Sequence, residues 1–552
     1  MPCIASEPKF ARPAHRPFRA WLVQAMQLSV LAIAPLASAQ PAANADVEPT
    51  REELRALKTD YEQRLDAIEN RLQKLEGAAA TNPSPAAASS ATNADVRARQ
   101  FAKQEFQENT ESRELALQAE NPIGRRLEQV LQDFMDFSGY FRAGYGRDNR
   151  GGPQVGFQAP GALAKYRLGN EAENYGELAF GKNFYAPDYF NGQPAERPDG
   201  TPAGAVVRVQ ARISIYDPYQ DSLSSSSTQF GLPEAWASIG NVLASQPGMK
   251  FWAGSRYYRR QDIHINDFFF SNLSGSGGGV EDIETPLGKV AFAWIGAGAS
   301  SGFSDLPQPD AANQAGFSKG NWDLRLYDVP VPFGKGEFDA TYVHADSGFD
   351  AAGNSAPGSD GGAFMFLHTR EQFISQDGVN KFSLQVGTGP AKTFTSGFET
   401  FQLTNGVFIR PDPHNSWRFR ATEHFTANVN DHFSIGPALV YQYTDYGSEG
   451  GKVQWASAGV RPIYYFNRYF SVAAESGVDW VDNEDADTRD YLAKVTLAPQ
   501  VALGNRFMSR PVIRAFVTYA HWGNDFVGQV GGPDYTGQNE GLTYGMQMEA
   551  WW

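Results

Sequence analysis

Apolar and polar side chains alternate with a period of two along most of this chain from Asp136 to Trp552. In FSGYFRAGY, Phe137, Phe141 and Tyr145 share one face, and Ser138, Tyr140, Arg142 and Gly144 share the other. In NYGELAF, Leu178 and Phe180 oppose Tyr175, Glu177 and Ala179; in VQWASAGVR, Ala456, Ala458 and Val460 oppose Trp455, Ser457 and Arg461. The ending GLTYGMQMEAWW puts Leu542, Tyr544, Met546, Met548, Ala550 and Trp552 against Thr543, Gly545, Gln547, Glu549 and Trp551. Successive strand residues point to opposite faces, so each segment has one face suited to lipid and one suited to water. Such strands predict a transmembrane β-barrel, in which the last strand pairs with the first and leaves no open edge in hydrocarbon. No run of 18 or more apolar residues occurs, so the sequence contains no spanning helix.

Four rings depart from the alternation. Tyr140, Tyr175, Trp455 and Trp551 all fall on the polar face of their strands, beside charged or small residues. The faces of a pyranose are apolar and its rim is hydroxyl, so a sugar can stack on such rings while charged neighbours bond its hydroxyls. The plainer alternatives are rings that fill a small closed barrel or sit in interfacial girdles; girdle residues belong on the apolar face.

Before Asp136 the pattern changes. Lys9, Arg12, Arg16 and Arg19 precede the apolar stretch Leu28 to Leu36 and the small residues Ala37, Ser38 and Ala39, which reads as a signal peptide over 1–39. Residues 46–76 place Leu54, Tyr61, Ile68 and Leu75 at one heptad position and Lys58, Leu65 and Leu72 at another, a short coiled coil or a single amphipathic helix. A flexible Ala, Ser and Pro linker covers 77–94, a polar, partly helical spacer covers 95–134, and the barrel covers 136–552.

Composition narrows the function. Cys3 is the only cysteine and leaves with the signal, so the exported chain has no disulfide and no thiolate metal site. Four basic residues and one acidic residue leave with it, moving the net charge from -15 to -18, which argues against nucleic acid as a partner and against a lumen built to attract anions. Gly298 to Gly302 fits G-x-S-x-G, but no helical period follows, so it reads as a Gly/Ser loop. The histidines lack metal spacing, and the acidic run Asp482 to Asp490 lacks the glycine of a calcium loop and reads as solvated loop. Arginines crowd Glu177 and Asp267, which leaves no general acid for a glycosidase pair. No enzyme activity and no cofactor are expected.

The segments FSGYFRAGYG, KYRLGNEAENYGEL, FWAGSRYYRRQDIHINDFFFSNLSGSGGG, VNKFSLQ, VRPIYY, SRPVIRAFVTYAHW and MQMEAWW resemble, in order, the maltoporin family of sugar-specific outer-membrane porins. The N-terminal coiled coil is similar to that of the sucrose porin branch. The resemblance implies an 18-stranded antiparallel barrel, a homotrimer among outer-membrane lipid and lipopolysaccharide, and a coiled coil in the periplasm. It also implies facilitated diffusion of maltodextrins, sucrose or related saccharides. Tyr140, Tyr175, Trp455 and Trp551 match the family's aromatic slide. Arg142, Arg167, Glu177, Arg260 and Asp267 match its ionic track, and Phe269 stands at the constriction where maltoporins carry tyrosine. Ser271 and Asn272 replace Trp and Asp, Val379 replaces a slide phenylalanine, and Pro233 stands where a track arginine is expected. Tyr219 and Phe230 are candidates for the ring lent to a neighbouring subunit, and Gly156 and Ala172 occupy the positions of a loop disulfide. These departures weaken strict maltodextrin selectivity. The alternative, a general or anion-selective porin without sugar specificity, requires a basic ladder that the inward positions above do not show.

Overall fold

The computed structural model describes residues 135–185, 204–218, 220, 228–300, 316–349, 355–403, 406–409 and 412–552. The signal peptide, coiled coil, linker and spacer expected over 1–134 lie outside the described residues, as does Tyr219.

A single 18-stranded sheet closes on itself, each strand antiparallel to its neighbours. Closure joins the first strand, Asp136–Asp148, to the last, Glu540–Trp551, in register from Tyr140 opposite Trp551 to Asp148 opposite Thr543. The amide of Gly139 donates to the Trp552 carbonyl at 3.1 Å and the Trp552 amide returns the bond at 3.2 Å, so pairing continues to the chain terminus. A sheet closed in this way has no free edge, the condition hydrocarbon imposes.

The two faces invert the usual distribution of polarity. On the strand Val512–Trp522, Ile513, Val517 and Tyr519 are exposed on the outer wall while Arg514 and Thr518 are buried inside. On the last strand Met546 is 62% exposed and Glu549 only 2%. Near the barrel's short-turn end, Phe137 stacks on Phe180 and Phe141 on Trp552; toward the other end, Trp294 stacks on Trp322 beside Tyr342. These outward clusters suit two interfacial girdles.

Long connections gather at one end, among them 149–173, 257–274, 389–416 and 523–539, while turns such as 286–287, 332–333 and 431–432 close the other. Two readings of local sequence are corrected here. Gly298 to Ser300 end the strand Gly288–Ser300, because pairing with Gly316–Val331 continues to Ser300 opposite Gly316. The acidic run is mostly strand: Phe470–Asn483 and Thr488–Ala502 pair as far as Asn483 opposite Thr488, leaving a short turn between them.

Loops 149–173 and 257–274 both fold into the bore. Loop 149–173 is held by polar groups of the wall: Lys494 Nζ donates to the Leu168 carbonyl at 2.8 Å, and the Leu168 amide donates to Glu475 at 2.9 Å. Tyr166 of this loop lies across Gly459 and Gly477, which face each other in adjacent strands, and any Cβ at either glycine would overlap its ring. Its hydroxyl bonds Ser457 at 3.0 Å. Loop 257–274 is held where Arg420 and Gln385 donate to the Phe270 carbonyl at 2.6 and 2.9 Å.

Candidate functional site

The inward loop 257–274 alternates like a strand. Ile263, Ile265, Phe268 and Phe270 are buried, whereas His264, Asp267 and Phe269 are partly exposed between them. Phe268 meets Trp455 edge-on at 5.1 Å, and Phe270 meets His424 at 5.9 Å. Packing of the even-numbered phenylalanines therefore turns Phe269 the other way, where its ring takes the Arg260 guanidinium at 4.3 Å.

Three of the four inward rings form a connected path. Tyr140 lies 6.1 Å from Tyr175 and stacks on Trp551 at 6.3 Å with the planes 17° apart. Strand pairing sets this spacing, since Tyr140 is directly opposite Trp551 and Tyr175 opposite the neighbouring Arg142. Trp455 is elsewhere: it has no exposure, its indole donates to Asp479 at 2.9 Å, and Phe268 covers it.

Charged groups flank the path. Arg142 pairs with Glu171 at 3.1 Å, with Asp267 at 3.5 Å and with Glu173, and its guanidinium lies over the Tyr175 ring at 5.2 Å. Arg167 joins Glu171 at 2.9 Å, Glu549 at 3.1 Å and the Tyr140 hydroxyl at 2.8 Å. Glu177 accepts from Tyr175 at 2.5 Å, from Tyr257 at 2.7 Å and from Arg212 at 2.9 Å. Arg260 lies 3.9 Å from the centre of the Tyr257 ring, and its Nε has no hydrogen-bond partner among the described residues. A half-buried cation between two rings is stabilised by their faces while its remaining donors stay available.

Sequence reasoning missed several members of this wall. Tyr257, two residues before the double arginine, joins Glu177 to Arg260, and Arg212 bridges Glu177 and Glu234 at 2.9 and 2.6 Å. Their signal was only a base at inward parity on Val206–Asp217 and an aromatic just past the end of Lys250–Arg256, where strand alternation no longer sets the facing; Pro233 carries no charge, and Arg212 supplies one on the neighbouring strand. His264 meets Trp551 edge-on at 6.1 Å and accepts from Arg510 at 3.3 Å. Burial, with Arg167 nearby, holds its imidazole well below the ordinary value, so it is neutral at pH 7. The inward basic positions also prove more numerous than the strands read above suggest, because Arg461, Arg506, Arg510 and Arg514 line one cavity at the short-turn end. Phe230 is 71% exposed on its strand. Among the described residues, no cluster of histidine, cysteine or carboxylate side chains is arranged to hold a metal.

Residues 135–552 match the family model described as LamB porin. Solved structures of similar architecture include OccAB4 of Acinetobacter baumannii, with 8% identity over 76% of this chain and 98% of that one at a TM-score of 0.40. OccAB1 of the same organism shares 10% identity over 76% and 97% at 0.41. The trimer form of Vibrio cholerae OmpT shares 9% over 76% and 99% at 0.34.

Proposed function

The chain belongs to the LamB porin family of outer-membrane channels, and from that premise we propose that it conducts sugars by facilitated diffusion along the ring path. The observation that carries this reading is the contact chain Tyr175, Tyr140 and Trp551 with arginine and carboxylate groups on both sides. A sugar passing from ring to ring stacks its apolar faces while Arg142, Arg260, Glu177 and Asp267 exchange hydrogen bonds with its rim. No step requires full desolvation of a hydroxyl. Several weak sites in series also meet the requirement for throughput, since a single tight site would block the bore.

Phe269 narrows the path without offering a hydroxyl, so saccharides are sorted there by size and ring contact more than by bonding. Trp455 supports the path indirectly by backing Phe268. The working unit in this reading is a homotrimer in lipid and lipopolysaccharide, with the N-terminal coiled coil in the periplasm. Chemistry on the sugar is not part of the proposal.

The test is block of ion current through channels reconstituted in planar bilayers, titrated with sucrose, maltotriose, glucose and a β-linked disaccharide. Saturable block by at least one sugar is expected. Conductance that no sugar reduces would instead identify a general diffusion porin.

A further inference from the structure

A further inward ring lies off the path described above. Trp236 belongs to the strand Gln229–Gly240, on its inner face between Glu234 and Ser238; both of those are buried, whereas the indole is partly exposed. Exposure on that face opens onto the bore, because the outer wall is the opposite face of the strand. The ring is held from two directions. Its Nε1 donates to Glu234 at 3.1 Å, and the Arg256 guanidinium lies 4.6 Å from the ring centre. Arg256 is fixed in turn by Glu281, which accepts from it at 3.0 and 3.1 Å, and by the Trp252 ring at 5.0 Å.

A polar ladder joins this ring to the loop residues that narrow the bore. Tyr257, whose ring takes Arg260, bonds two carboxylates, giving its hydroxyl to Glu177 at 2.7 Å and its amide to Glu234 at 3.1 Å. Arg212 bridges the same two carboxylates at 2.9 and 2.6 Å. Gln210, directly opposite Trp236, donates to Glu234 at 3.1 Å and accepts from Arg208 at 2.9 Å. Arg208 pairs with Asp136 at 2.8 Å, and these two side chains are open to water, 31% and 60% exposed. The ladder therefore leaves the ring path at Glu177 and descends the strands Val206–Asp217 and Gln229–Gly240 toward the short-turn end, with the indole beside it. An aromatic face bordered by a carboxylate and arginines is the combination that receives a pyranose on the ring path. A ring already locked by Arg256 and Glu234 also loses little freedom when a sugar stacks on it.

We propose that Trp236 is a further saccharide subsite, where an oligosaccharide that has passed Phe269 stacks one of its rings against the indole and bonds its hydroxyls to the ladder. The inference rests on the ring-path reading above and adds to it a branch that chains of several sugars reach and a single sugar does not need. Current block by glucose and by maltohexaose is titrated on the full-length channel in planar bilayers, unaltered and with Trp236→Leu or Trp236→Phe. Leucine keeps apolar bulk without a flat face, and phenylalanine keeps the face without the bond to Glu234, so neither variant leaves a void in the wall. Trp236→Leu is expected to raise the half-blocking concentration of maltohexaose by roughly threefold to tenfold, the loss of one stacking contact, and that of glucose by less than about twofold. Trp236→Phe should restore most of the maltohexaose block, and sugar-free conductance should match the unaltered channel in both variants. Maltohexaose block unchanged by Trp236→Leu would overturn the proposal, as would equal weakening for the two sugars or a phenylalanine variant as weak as the leucine one. An unaltered channel that no sugar blocks would remove the ring path and this branch together. Block that Trp551→Ala weakens and Trp236→Leu leaves intact would remove the branch alone, so the two readings fail separately.

Discussion

Trp551 is the residue at which wall, loop and path meet. It stacks on Tyr140, faces His264 edge-on and carries the Arg510 guanidinium on its ring. Replacing it by alanine removes one stacking surface, a contribution of about 0.5 to 1.5 kcal/mol, so Trp551→Ala should raise the half-blocking sugar concentration by roughly threefold to tenfold. Current-block titration reads this directly, and unchanged block would remove the ring from the mechanism. His264 gives a pH signature. Its folded-state pKa lies well below 6.5 because of burial, then Arg167, so the unfolded chain binds a proton there that the folded barrel refuses. The contribution is therefore intact above about pH 6.5 and diminishes as the pH falls below it, by up to roughly 1.4 kcal/mol per unit. Thermal unfolding of detergent-solubilised protein between pH 7.5 and 5 should show a smaller acid-side loss in His264→Gln than in the unaltered chain.

The elements that shape the bore are the inward loops, and each has several anchors, of which one is the tightest to probe. Tyr166 sits where only glycine leaves room, on the facing pair Gly459 and Gly477. Gly477→Ala should dislodge loop 149–173 while the strands stay paired, seen as noisier single-channel current with unchanged strand content by circular dichroism. Loop 257–274 hangs on Arg420, which donates to the Phe270 carbonyl and lies over the Phe268 ring at 4.9 Å. Arg420→Ala deletes a buried charge-assisted hydrogen bond worth about 1.5 to 3 kcal/mol. The loop should then leave the bore more often, with higher conductance and weaker sugar block.

The whole molecule depends on closure. Removing residues 540–552 would strip the partners from both the first strand and Val512–Trp522, leaving two open edges that a bilayer does not tolerate. No folded, heat-modifiable species is expected on a semi-native gel, whereas Trp551→Ala should retain one. How much of this was legible beforehand follows from what each feature depends on. The alternation in the strands around Tyr140, Tyr175 and Trp551 fixed which side chains face inward, because a pleated backbone leaves no other choice of face. That same rule identified the barrel and, with the matched segments, the family. It did not reveal that Trp455 is covered, since Phe268 reaches it from a loop almost two hundred positions earlier. Nor did it reveal Tyr257 beside Glu177, or four arginines around one cavity, because those groups meet only across strands and turns distant in the chain. The amino-acid order by itself determined facing, closure and the presence of inward rings, all of which are local periodicity repeated. Which rings touch, which are buried and which charges share a partner were decided by the tertiary structure alone, because register and loop insertion bring together residues that no local period relates.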